Sequence, residues 1–215
     1  MLNHSTSRAT ICGIGVLLES PESRCSDIRA RTMTMAKAIE HPRNGYTRTA
    51  RLLHWVTAGL VLYQIPVGVL IANFELGPLY DLHKSLGTLI LLLTIIRLAW
   101  RWAHPAPALP DHIPVAQRRA AVAMHWGLYA LLLVQTLIGW IGTAAYPAPV
   151  PFFGLFEFPQ IWWDDLPLSD RLFALHFWIG ILIAVLLVGH IGAALYHHFV
   201  RQDETLQRML RGEVA

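Results

Sequence analysis

Apolar residues gather into four long runs separated by polar, proline-rich segments. Leu52 to Phe74 has no charge, and Leu82 to Trp102 carries Lys84 near its start and Arg97 and Arg101 near its end. Ala120 to Ala145 and Leu172 to Val200 are uncharged. Each run holds about 20 residues or more, enough for a helix to cross a hydrocarbon core of ~30 Å. Lipid offers the backbone no hydrogen bonds, so the spans are expected to be α-helical. Pro66 predicts a kink in the first span, because it removes one backbone donor. Lys84 and Arg97 sit near span ends, where long side chains can snorkel to the interface.

The connections set the architecture. A turn at Glu75 to Tyr80 contains Gly77-Pro78, and a proline-rich linker covers Ala103 to Arg119. Tyr146 to Asp170 is the longest connection and carries Phe152, Phe153, Phe156, Phe158, Trp162 and Trp163. So apolar a loop is expected to rest on the membrane or cap the bundle. Short connections make consecutive helices antiparallel neighbours, which predicts an all-α, up-down four-helix transmembrane bundle over residues 45–210. No internal repeat is evident. Residues 1–44 are expected to form a disordered tail, with Met33 or Met35 an alternative start. Ile11 to Leu18 is too short to span, and no signal-peptide cleavage pattern follows it. Gly13-Ile14-Gly15 lacks the third glycine and the βαβ setting of a dinucleotide site.

Composition agrees with this reading. Of 215 residues, 54% are hydrophobic and 14% charged, and mean hydropathy is +0.44. A soluble domain carries about 25% charged residues. Two cysteines, Cys12 and Cys25, exclude a disulfide framework or a cysteine-based metal cluster. The net charge of +3 is topological. One set of span flanks holds Arg43, Arg48, Arg51, Arg97, Arg101, Arg118, Arg119, Arg201, Arg208 and Arg211, whereas the other holds only Lys84 and Arg171. The positive-inside rule then puts both termini in the cytoplasm of a multi-pass inner-membrane protein. Nucleic acid is not needed to explain the basic residues.

The histidines carry the candidate chemistry. His54, His83, His125, His176 and His190 lie within the apolar runs, and His197 and His198 mark the last exit. Polar residues in a span are costly and usually face the bundle interior or a ligand. His125, His197 and His198 read best as interfacial or hydrogen-bonded core histidines. His176 and His190 are 14 residues apart, which in a helix is ~21 Å of rise along nearly one face. His54 opens the first span and falls level with His190. His83 opens the second and falls level with His176. Each pair, His54/His190 and His83/His176, can clamp one flat iron macrocycle, imidazole being the usual neutral ligand of haem iron. Ala58, Gly87, Gly180 and Ala194 each follow one of these histidines by four residues and would leave room for a porphyrin, whereas Tyr129 follows His125. A di-iron bundle would need buried carboxylates, and the four spans have none. Zinc would need three or four ligands at one depth.

Several of these stretches resemble the bacterial cytochrome b561 family of dihaem membrane proteins. They are Arg51-Leu52-Leu53-His54-Trp55, Leu82-His83-Lys84-Ser85-Leu86-Gly87, His125 before Leu128-Tyr129, the His176/His190 spacing, and His197 through Leu206. The resemblance implies two haem b groups with His54, His83, His176 and His190 as axial ligands. It also implies electron transfer in the inner membrane and exchange with quinone, and it allows oxidation of superoxide with quinone as acceptor. The alternative is a cytochrome b anchor subunit serving a larger dehydrogenase or hydrogenase partner. A channel or scaffold ranks last. For the substrate, the expected ground is the aromatic third loop, with Lys84 and Arg171 attracting an anion or a reduced quinone. Simple snorkelling by those two cations is the competing reading.

Overall fold

The computed structural model describes residues 45–74, 77–108, 113–159 and 164–212. The expected N-terminal tail therefore lies outside the described residues, as do Trp162 and Trp163. Four long helices form: α1 Arg48–Asn73, α2 Gly77–Ala103, α3 Val115–Ala145 and α4 Leu166–Phe199. All four are long and apolar enough to cross a membrane. Two short strands, β1 Val150–Phe152 and β2 Phe156–Phe158, pair antiparallel between α3 and α4. A short helix, α5 Thr205–Leu210, follows α4.

The helices begin four to six residues before the apolar runs, and side-chain caps mark the starts of α1 and α4. The Thr47 hydroxyl accepts from the Ala50 N–H at 3.2 Å. The Asp165 carboxylate accepts from the Leu168 N–H at 3.0 Å. Each cap satisfies an orphan donor of a first turn. Gly77-Pro78 lies in the first turn of α2, where a missing N–H costs nothing. α1 continues through Pro66.

Each helix packs against its sequence neighbours, and α1 and α4 touch more lightly. The most deeply buried side chains are small: Thr57, Ser85, Thr94 and Ser169. Thr57 and Thr94 donate to the carbonyls of Leu53 and Ile90, both at 2.7 Å, so neither hydroxyl is left unsatisfied. Large apolar side chains such as Trp178, Val185 and Val188 point outward, as lipid-facing residues do. The apolar core is a compact layer at mid-height, Val61, Ile90 and Ile183, flanked by Leu60, Leu131 and Leu187.

The two ends of the bundle differ. One end, the basic face, carries Arg48, Arg51, Arg101, Arg118, Arg119, Arg208 and Arg211 among the described residues. There the Arg51 guanidinium donates to the Leu210 carbonyl at 2.7 Å, and the Trp55 indole donates to the Met209 carbonyl at 3.1 Å. These bonds dock α5 onto the start of α1. The other end, the hairpin face, bears β1 and β2. The Ser85 hydroxyl lies 3.0 Å from the Pro151 carbonyl and accepts from the Phe153 N–H at 3.0 Å. The tight turn uses left-handed backbone at Phe153 and Gly154, with φ of 51° and 70°. The described part of the third loop thus caps the bundle, and its phenylalanines meet one another edge-on or tilted.

Candidate functional site: two levels of paired imidazoles

The 14-residue spacing on α4 holds His176 toward the hairpin face and His190 toward the basic face. α2 brings His83 level with His176, their ring centroids 6.1 Å apart. α1 brings His54 level with His190 at 6.4 Å. With metal–imidazole bonds of about 2.0–2.1 Å, two rings on opposite sides of one metal hold their centroids roughly 6 Å apart. Both pairs have that separation. His125 of α3 comes closer to His190, at 5.3 Å, which is short for that arrangement. The apolar layer of Val61, Ile90 and Ile183 lies seven residues from each level and separates the two.

The donor sets fit haem iron unequally. His176 Nδ1 lies 3.0 Å from the Gln135 carbonyl, which can only accept. Nδ1 therefore carries the proton, and Nε2 keeps its lone pair for a metal. His83 Nδ1 is buried with no partner. At the other level, an Arg97 nitrogen approaches His54 Nδ1 to 2.7 Å. Arginine only donates, so His54 Nδ1 is the acceptor here. The Arg97 guanidinium also covers the Tyr129 ring at 5.0 Å. Arg97 thus turns inward between histidines, where the sequence predicts snorkelling. The usable signal was its position, 14 residues after His83 on α2, matching His190 after His176 on α4.

Two glutamines were also missed. The Gln64 amide donates to the His83 carbonyl at 2.8 Å, and the Gln135 amide donates to the His176 carbonyl at 2.9 Å. A Cβ added at Gly87 would lie 3.8 Å from Gln64 Nε2, and one at Gly180 would lie 3.2 Å from Gln135 Nε2. Gly180 thus leaves space for the Gln135 amide, whereas a side chain at Gly87 would make only ordinary contact with Gln64.

The described members of the expected substrate region lie at the hairpin face. The Lys84 ammonium is 2.8 Å from the Asp81 carboxylate and donates to the Pro149 carbonyl at 3.1 Å, so it helps tie the hairpin down. Arg171 is exposed near the start of α4. On the basic face, the His197 imidazole bonds the Asp203 carboxylate, the hydrogen-bonded role expected of it. Among the described residues, no group of three or more His, Cys, Asp or Glu side chains is arranged to hold a metal ion.

Comparison with known proteins agrees with this architecture. A profile described as prokaryotic cytochrome b561 matches residues 45–212. Cytochrome b561 homolog 2 of Escherichia coli strain K12 is 36% identical over 165 residues, spanning 73% of this chain and 86% of the relative. Cytochrome b561 homolog 1 of the same strain is 27% identical over 172 residues, spanning 78% and 97%. A Yersinia pestis protein named probable superoxide oxidase CybB is 31% identical over 130 residues, spanning 60% and 73%. With four membrane-spanning helices and a match across most of its length, the chain belongs to the prokaryotic cytochrome b561 family of membrane electron-transfer proteins, a membership that implies haem b.

Proposed function

We propose that the chain carries electrons between a small donor or acceptor and the quinone pool, using two haem b groups. His54 and His190 would hold one, and His83 and His176 the other. The carrying observation is the pair of two-imidazole levels, at 6.4 and 6.1 Å, on one transmembrane bundle. Haem iron supplies a reversible one-electron change between its ferric and ferrous states. Two imidazoles on each iron would leave no open coordination position, which favours electron transfer over oxygen binding.

The chain's own residues do the rest. The Gln135 carbonyl holds the His176 ring in the tautomer that frees Nε2. Were His54 to hold iron through Nε2, its Nδ1 would carry the proton and Arg97 would have to donate elsewhere. The carboxylates of haem b are suitable acceptors for the released guanidinium. The mid-height layer keeps water out from between the levels. By the positive-inside rule the basic face is cytoplasmic, both termini with it, in a bacterial inner membrane.

The hairpin face is the proposed substrate side. Phe152, Phe153 and Phe156 supply an apolar surface for a quinone ring. Lys84 and Arg171 supply positive charge, Arg171 exposed and Lys84 beside a counter-ion. Superoxide is a fitting donor, given the name of the Yersinia pestis relative. Two superoxide anions would each give up one electron, releasing two O₂, and one quinone would take both electrons with two protons.

The test is haem reduction by quinol and by superoxide, in the parent and in Lys84→Gln combined with Arg171→Gln at matched haem content. The expected result is a selective loss with superoxide, with steep salt dependence in the parent. Unchanged rates with both donors would remove the two cations from the mechanism.

A further inference from the structure

The glutamine contacts belong to a repeated unit. On α1, His54 is followed after ten residues by Gln64 and after four more by Gly68; on α3, His125 is followed by Gln135 and Gly139 at the same intervals. On α2, Leu82-His83-x-x-Leu86-Gly87 is followed by Arg97, 14 residues after His83. On α4, Leu175-His176-x-x-Ile179-Gly180 is followed by His190, again at 14. The α1–α2 and α3–α4 hairpins thus carry one motif twice, which corrects the reading that no repeat exists. At the hairpin-face level the two copies agree in sequence, although only His176 has its Nδ1 bonded to a backbone carbonyl. At the basic-face level they diverge, because Arg97 stands where the second copy has His190.

The spatial contacts repeat as well. Each glutamine donates to the carbonyl of the histidine on its partner helix, at 2.8 and 2.9 Å. Inside the helix that carbonyl already faces the N–H four residues on, which belongs to Gly87 or Gly180. At Gly180 the missing side chain gives the Gln135 amide space to reach the second lone pair, whereas at Gly87 a Cβ would be in ordinary contact with the Gln64 amide. One turn beyond each glutamine, a second glycine faces the imidazole. A Cβ at Gly68 would lie 3.4 Å from His83 Cε1, and one at Gly139 only 2.9 Å from His176 Cε1. Gln64 and Gln135 are buried or partly so, and both carboxamide oxygens are buried without a partner. An orphaned buried amide oxygen is costly, so an apolar side chain would suit the bundle interior better unless the amide donor were needed.

We propose that Gln64/Gly68 and Gln135/Gly139 are two copies of one positioning socket, which fixes the backbone and ring plane of His83 and His176 respectively. The proposal rests on reading those histidines as ligands of one haem. It predicts that the sockets control the mutual angle of the two imidazole planes, 75° here, and leave the other level alone.

The experiment uses the full-length holoprotein with Gln64→Met, Gln135→Met and Gly139→Ala, and with Gly192→Ala as a control, since a Cβ there meets nothing within 4 Å. Haem content, the low-spin electron paramagnetic resonance signals and the two midpoint potentials are read for each. The glutamine variants are expected to keep both haems and to shift the signal and potential of one only. Gly139→Ala is expected to lose that haem or convert it to high spin, and Gly192→Ala to match the parent. If Gly139→Ala does not assemble, the two glutamine variants still decide the matter. Parent signals and potentials in both, or changes confined to the other haem, would overturn the socket. His176→Ala, run in parallel, separates the two readings. Retention of both haems there would refute the ligand assignment itself, whereas loss of one haem with silent glutamine variants would refute only the socket.

Discussion

Arg97 shows how little a side chain's identity says about its job inside a membrane. Hydropathy and position made it a snorkelling cation, yet it lies 2.7 Å from His54 Nδ1 and over the ring of Tyr129. The histidines were legible because a 14-residue interval is close to a whole number of helical turns. Gln64 and Gln135 were not, because a lone glutamine has no ligand chemistry to mark it and its partner is a backbone carbonyl on another helix. If Arg97 balances the carboxylates of the haem beside His54, Arg97→Leu should weaken retention of that haem alone. A hydrogen bond to a charged group contributes about 1.5–3 kcal/mol, so a loss of roughly ten- to a hundredfold in affinity is expected. Titrating haem into the apoprotein measures it, and unchanged affinity would separate Arg97 from the cofactor.

The four helices were legible as elements, but their ends were not. Hydropathy stops at the first charge, whereas the helices run on to Thr47 and Asp165, whose side chains cap the next turn. The β-hairpin escaped notice because prolines and phenylalanines crowd its strands, and its anchor is the Ser85 hydroxyl on α2. The turn after α4 depends on Asp203. Burial alone would raise its carboxyl, but hydrogen bonds from His197 and from Thr205 outweigh burial and hold it below the ordinary carboxylate value. A depressed folded-state value contributes stability above the unfolded value, and that contribution fades as pH falls through the folded one. Docking of α5 should therefore be intact at pH 5 and weaken only below about pH 4, the ordinary aspartate range. Protease cleavage after Arg208 and Arg211 as a function of pH reads this, and Asp203→Asn should expose those sites already at neutral pH. Equal protection of Asp203→Asn and parent would show that α5 is held by Arg51 and Trp55 alone.

At the scale of the whole chain, the up-down bundle followed from four runs and three connections, and the pairing of levels followed from the direction each helix takes. The twofold motif did not, because its glycines and glutamines are common residues whose register means something only once the helices are paired. The family match starts at residue 45, so deleting residues 1–34 should leave haem content and membrane insertion unchanged; a truncated protein that fails to load haem would make the leading segment a working part. The central claim is that two imidazole pairs each hold one haem, and haem stoichiometry across single alanine variants tests it most directly. Haem extraction and a reduced-minus-oxidised spectrum should give two low-spin haem b groups per chain in the parent and in His125→Ala. His54→Ala and His190→Ala should lose the same haem, and His83→Ala and His176→Ala the other. Retention of both haems in all four variants, or loss of a haem in His125→Ala, would contradict the assignment.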